Sequence, residues 1–350
     1  MSQPVLQSVV DPTNPYGLPL TTSNVNEEYQ AACERAISVS RNARGRMRLA
    51  GDRAREVLTG LVTNDIVGLA PGQGAYAVAL TAKGKIVADL RTYARGSELW
   101  LDASPLAWPG WWLTVRKYIN PRLAKYEDLT EGYRTTSVYG GDAVALVSRA
   151  LGLRDVELAE LAEYGHRPIG DEDRAGLVAR VSDTSLPGFD IWVPTDRSDW
   201  LRERLQAAGV QPGGAMVADI LRIEAGRPEW GLDMDDNSLA QEANMDALHA
   251  ISYTKGCYTG QETVARVHFR GHVNRHLRGL RLTAGEFPRR GSDVLSAQGS
   301  VVGDLRSSAK SPRHGFIALA MLRREVNPGD RVLLSADGSN AAEVVDLPFS

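Results

Sequence analysis

Residues 253–266 read YTKGCYTGQETVAR and hold one of the chain's two cysteines. Lys255 stands two residues ahead of Cys257, with Gly256 between them. Thr259 and Glu262 follow at the spacing of a capping box, which predicts a helix beginning near Gly260. A thiol just ahead of a helix N-terminus and beside an ammonium is favoured as thiolate, the form that attacks electrophiles or binds a metal or cluster. Cys257 and Lys255 are therefore the first candidates for chemistry. A small buried hydrophobe is the ordinary alternative for a free cysteine. No other thiol assists, because Cys33 lies more than two hundred residues away. No Cys/His set has zinc spacing, so no metal site is expected.

The segment after this stretch carries Arg266, His268, Arg270, His272, Arg275, His276 and Arg278. Arginines repel cations, so a local anion site is the functional reading and a solvated turn the plain one. No phosphate-cradling loop, nucleophile elbow or H-E-x-x-H motif occurs.

The whole chain bounds the partners. It has 350 residues, a net charge of −3, 43% apolar and 24% charged residues. That is ordinary for a globular protein and supplies no basic field, so direct nucleic-acid binding is not expected. No apolar stretch reaches membrane-spanning length, and the first residues lack the pattern of a signal peptide. Two scattered thiols fit a reducing compartment, so a cytoplasmic protein without membrane partners is expected.

The elements that must position these residues alternate between sheet and helix. GAYAVAL, IVADLRTYA and ELWLDAS read as three hairpin-linked strands after a short helix that Asp52 would cap. Asp89 falls on the face opposite Leu90 and, by alternation alone, reads as solvent-facing. Trp108, Trp111 and Trp112 read as core. A hairpin through ARVSDTSLPGFDIWVP, a helix from Ser198 to Gly209 and a helix through AMVADILRIEAG repeat the mixture. In the last helix Met216, Ile220 and Ile223 are the expected buried stripe. After residue 276 the strands are short and turn-rich, as in a small β-barrel. The expected division is a loosely held arm at 1–24, a region of two interleaved α+β lobes at 25–275 with one lobe at about 48–135, and a barrel domain at 276–350.

KGCYTGQETVAR closely resembles the cysteine signature of YgfZ-type proteins, relatives of the glycine-cleavage T-protein, an aminomethyltransferase. LRIEAGRPEWG, NMDALHAISYTKGC, LTGLVTNDIVGLAPGQGAYAVALTAKGKIVADL and SSAKSPRHGFIALAML extend the resemblance over roughly residues 45–345. It implies an α+β fold in which a three-domain ring encloses a central folate cavity. It implies tetrahydrofolate, or a one-carbon derivative, as cofactor. It also implies iron–sulfur assembly or client proteins as partners, with an effect on tRNA modification through them. Asp89 matches the carboxylate facing the folate N5/N10 region, Asp190 the carboxylate that grips the pterin, and Arg222 an arginine of the same pocket. Asn64, in TND, joins that binding set. The chain departs from the T-protein in lacking a tyrosine before Asp190 and in carrying Cys257 where the T-protein has aspartate. Maintenance of iron–sulfur proteins through Cys257 is the expected function, with weak or absent glycine-cleavage activity. A folate-dependent aminomethyltransferase is the alternative.

Overall fold

The computed structural model describes residues 14–170, 176–282, 288–335 and 337–350. The chain opens with α1 (Val25–Glu34) and β1 (Ile37–Ser40). It then builds β2 (Gly45–Ala50), α2 (Ala54–Thr59), β3 (Gly74–Leu80), β4 (Ile86–Arg95), β5 (Glu98–Ala103), α3 (Trp108–Tyr118) and β6 (Lys125–Asp128). Next come β7 (Tyr133–Tyr139), α4 (Ala143–Leu151), α5 (Asp155–Ala159), β8 (His166–Ile169), β9 (Gly176–Val181) and β10 (Gly188–Pro194). The segment closes with α6 (Ser198–Ala208), β11 (Gln211–Pro212) and α7 (Ala215–Glu224). A long connection leads to α8 (Gln261–Arg270). The strands β12 (Arg275–Leu282), β13 (Asp293–Leu295), β14 (Val301–Ser311), β15 (Gly315–Arg323), β16 (Arg331–Leu333) and β17 (Ala341–Val345) follow.

Two sheets and a barrel result. One sheet has the order β3-β4-β5-β2-β6, the other β11-β1-β7-β10-β9-β8, and the barrel closes as β12-β15-β14-β13-β16-β17. The lobes interleave: β1 belongs to the second sheet, although the first sheet follows it in the chain. The outer face of the first sheet packs Ala88, Leu90 and Ala94 against α2 and α3, where Trp108 and Trp111 are buried. The outer face of the second packs Val138, Phe189 and Ile191 against α4 and α6. Their inner faces meet through Tyr76, Tyr93 and Trp100 from one sheet and Tyr139, Ala179 and Trp192 from the other. Ile223 of α7 joins the barrel through Leu319, Met321 and Phe349.

This layering overturns the solvent-facing reading of Asp89. Leu90 does face α2 and α3, but the opposite face of β4 looks into the other sheet, so Asp89 is only 8% exposed. A strand covered on both faces removes the water that a one-sided alternation assumes.

Local readings fared unevenly. Gly209 closes α6 in the left-handed conformation, and Gly226 does the same just after α7. The caps assigned to Asp52 and Ser198 are not formed, the N-cap positions being Arg53 and Arg197. Met216 is exposed, and the buried stripe of α7 runs through Val217, Ile220, Leu221 and Ile223 instead. Residues 1–13 of the proposed arm lie outside the described residues. Residues 19 and 20 are tied to α7 by backbone bonds from Ala215 (2.9 Å) and Met216 (3.0 Å). Among the described residues no helix is long and apolar enough to cross a membrane.

Candidate functional site

Between the sheets and α7 lies a narrow cavity of about 30 Å³, lined by Asp89, Tyr76, Asp183, Arg91, Arg222 and Glu229, among others. That is room for about two waters, so a larger ligand enters only where a lining side chain gives way. The pairing of β3 with β4 sets Val78 opposite Asp89 and Tyr76 opposite Arg91. Asp89 is thus presented from the middle of a strand that the flanking layers hold rigid.

The Tyr76 phenol donates to Asp89 Oδ2 at 2.9 Å, while Oδ1 is buried with no partner among the described residues. Burial raises the Asp89 carboxyl to about 6, and the Glu229 charge adds to this; Arg44, the Tyr76 hydrogen bond and Arg91 act in the opposite direction. A buried acceptor without a donor is costly unless a ligand or water supplies one.

Arg91 crosses the space between the sheets. It binds both Asp183 oxygens at 2.7 Å and also donates to Asp190, which Ser137 contacts from the neighbouring strand β7. Burial alone would raise the Asp183 carboxyl, but Arg91, Arg41 and Arg44 outweigh it and hold it down to about 2. Asp190 is pushed up by burial despite Arg91. Asp190 is fully buried and does not line the cavity, whereas Asp183, which Arg91 Nη2 also binds, does. The expected pterin carboxylate therefore sits one layer behind the wall.

The other expected residues divide. Arg222 lines the cavity and is fixed by Asp233 at 2.6 Å, Ser307 at 2.9 Å and Asp219 at 3.2 Å. Asn64 is spent on the backbone: its amide donates to the Tyr76 carbonyl (2.8 Å) and the His249 carbonyl (2.9 Å). Lys255 is spent likewise, donating to the carbonyls of Thr59 (2.5 Å), Val62 (2.6 Å) and Asn64 (2.9 Å). Burial lowers its ammonium to about 8.

Cys257 is exposed and does not line the cavity. The capping box does not form. Gly260 caps α8 at φ +85° without a side-chain bond, and Thr259 turns to the Gly60 carbonyl. Only glycine fits there, since a Cβ would meet the Thr81 carbonyl oxygen at 2.7 Å. The basic run does not gather into one site either. His268 stacks on Tyr253 with centroids 3.6 Å apart, Arg275 pairs with Glu242 at 3.1 Å and Arg278 with Asp346 at 3.0 Å. Among the described residues no cluster could hold a metal ion.

Sequence reasoning passed over Asp183, Arg91, Arg44, Arg41, Tyr16 and Glu229. Arg91 carried a signal: it stands within IVADLRTYA, where a charge amid a buried run needs a partner. Asp183 and Glu229 sit in turns whose inward direction no periodicity reveals.

The chain matches known proteins along its length. The family model for the GCVT N-terminal domain covers residues 13–252, and that for the glycine cleavage T-protein C-terminal barrel domain covers residues 275–350. It is 28% identical over 312 residues to an aminomethyltransferase of Nostoc sp. (strain PCC 7120 / SAG 25.82 / UTEX 2576), covering 87% of this chain and 81% of the relative. It is 29% identical over 304 residues to the aminomethyltransferase of Thermosynechococcus vestitus (strain NIES-2133 / IAM M-273 / BP-1), with the same coverage of 87% and 81%. The crystal structure of glycine cleavage system aminomethyltransferase T from Bartonella henselae superposes with a TM-score of 0.85 at 22% identity, over 95% of this chain and 91% of that one. That structural likeness speaks for the fold. With both family domains matched in order, the chain belongs to the glycine cleavage T-protein family.

Proposed function

We propose that the chain is a tetrahydrofolate-dependent one-carbon transferase of the aminomethyltransferase type. The observation that carries this is Asp89, a carboxylate on the cavity wall with one buried oxygen free and its acidity shifted to about 6. The names of its relatives favour this reading over the iron–sulfur role expected from the cysteine stretch. The residues fit a reduced folate: acceptors (Asp89, Glu229) suit ring and exocyclic N–H groups, and guanidinium groups (Arg44, Arg222) suit carbonyl or carboxylate oxygens. Bound there, tetrahydrofolate supplies the amine nitrogen that accepts the one-carbon unit. Asp89 Oδ1 takes the proton that this nitrogen must give up, and Tyr76 keeps the carboxylate oriented. Arg91, Asp183 and Asp190 fix the wall behind it.

Calorimetry with tetrahydrofolate, alongside release of ammonia from an aminomethylated dihydrolipoyl carrier, tests the reading. Binding and tetrahydrofolate-dependent ammonia release are expected, with a rate loss of roughly 10²–10⁴-fold in Asp89→Asn. Absence of heat with millimolar ligand would refute it.

A second reading rests on Cys257, exposed on the loop before α8 within the YgfZ-like stretch. Under it, folate binding serves a thiol-dependent reaction that maintains iron–sulfur proteins and, through them, tRNA modification. It requires that Cys257→Ser fail to restore iron–sulfur enzyme activity in cells lacking the protein, while ammonia release stays intact.

A further inference from the structure

Residues 14–18 form a closed turn. The Gly17 N–H donates to the Asn14 carbonyl (3.0 Å), and the Asn14 side chain accepts from the Leu18 N–H (3.1 Å) and donates to the Leu18 carbonyl (2.7 Å). Gly17 takes φ +60°, a left-handed conformation that costs glycine little. The turn carries Tyr16 into the cavity. There the phenol donates to Glu229 Oε1 (3.0 Å) and accepts from Arg44 Nη1 (3.2 Å), and the Arg41 guanidinium lies 4.5 Å from the ring centre. The ring divides one cleft into two. Tyr16, Arg41, Ala218, Arg222 and Glu229 line both the Asp89 cavity and a small outer cleft of about 20 Å³.

Glu229 and Arg44 are held independently of Tyr16. Ser104 donates to the same Glu229 oxygen at 2.6 Å, and Arg44 directs Nε (2.9 Å) and Nη2 (2.6 Å) to Asp102. An acceptor and a donor therefore stand at a fixed separation, pointed at the same spot. A heterocycle edge carrying an N–H beside a carbonyl satisfies such a pair, the N–H going to the carboxylate and the carbonyl to the guanidinium. A single hydroxyl also satisfies it, because it donates and accepts at once.

We infer that Glu229 and Arg44 form the subsite that reads the amino/oxo edge of a heteroaromatic ligand, and that Tyr16 is an internal stand-in which the ligand displaces. This rests on the folate reading above and assigns which wall receives the pterin edge. It differs from the Asp190 assignment made by resemblance, because Asp190 is enclosed behind Arg91. It also makes the N-terminal turn part of the binding equilibrium. Affinity falls by the fraction of molecules in which Tyr16 has vacated the subsite.

The test titrates tetrahydrofolate calorimetrically into the full chain and into Tyr16→Ala, Tyr16→Phe and Glu229→Gln, with melting curves for each. Tyr16→Ala should bind more tightly, roughly tenfold if the subsite is vacant in about a tenth of the molecules. Tyr16→Phe should shift in the same direction by less, having lost the two hydrogen bonds but not the ring. Glu229→Gln should bind several-fold more weakly with melting nearly unchanged. Weaker binding by Tyr16→Ala would make the tyrosine a platform and overturn the displacement. Unaltered affinity in Glu229→Gln would remove the subsite. If none of the four proteins takes up tetrahydrofolate, the folate reading falls and this inference with it, a result distinct from the previous two.

Discussion

Tyr76 and Asp89 lie on adjacent strands, and the tyrosine binds only one of the two carboxylate oxygens, at 2.9 Å. The other oxygen is buried and has no partner among the described residues. Orientation and availability are thus divided between the two atoms of one carboxylate. With its acidity raised to about 6, first by burial and then by Glu229, Asp89 changes state just below neutrality.

The pH dependence of catalysis follows. Asp89 must be ionised to take a proton, so kcat/KM should fall about tenfold per pH unit below about 6. Folate-dependent ammonia release measured from pH 4.5 to 8 checks this. A rate that stays flat across pH 6 would remove Asp89 from the role of base.

Stability should move the other way. The folded carboxyl titrates near 6, above the unfolded value of about 3.9, so the folded state holds the proton more tightly. That contribution is present below about 3.9 and is lost as pH rises through 6. At pH 7.5 the buried charge is a net cost, on the order of 1–3 kcal/mol. Asp89→Asn should therefore melt higher than the parent at pH 7.5, and the difference should shrink toward pH 4. Equal melting temperatures at both pH values would contradict this assignment.

The Arg91 triad should behave as a buried ion pair. Removing the cation in Arg91→Met leaves Asp183 and Asp190 without it, at a cost of about 3–5 kcal/mol. In the parent, Asp183 titrates at about 2, so its contribution is full above the unfolded value of about 3.9 and is lost as pH falls toward 2. In Arg91→Met the two carboxyls, buried without their cation, hold their protons to higher pH, so the deficit should be largest at neutral pH and smaller near pH 4. Urea unfolding at pH 7 and pH 4 measures both.

The fold was legible where periodicity met a buried surface. The strand pattern of residues 74–103, the helix ending at Gly209 and the turn-rich C-terminal strands all appear as read. The site was only half legible, and the reason is the second sheet. Alternation separates the two faces of β4 but cannot say that both are covered, so Asp89 was assigned to water by pattern and recovered only through resemblance. Asp190 shows the converse limit: its position in the motif was legible, but the depth at which Arg91 encloses it was not. Tyr16 lies in a stretch that composition marks as a loose arm, and its burial depends on Arg44 and Glu229, far off in sequence.

Lys255 and Cys257, read together from sequence as a reactive pair, should separate in experiment. The Lys255 ammonium donates to three backbone carbonyls between residues 59 and 64, tying the loop before α8 to the segment after α2. Lys255→Met would leave those acceptors without their donor, costing about 1–3 kcal/mol for each one that remains dry. A clear drop in melting temperature is expected, together with weaker protection of amide protons in residues 59–64. Cys257 is exposed and engaged in no such network, so Cys257→Ser should stay within about 0.5 kcal/mol of the parent. Under the transferase reading it should also retain folate-dependent ammonia release, since the thiol does not line the cavity. Loss of that activity with unchanged melting would bring Cys257 into the reaction and favour the thiol-dependent reading.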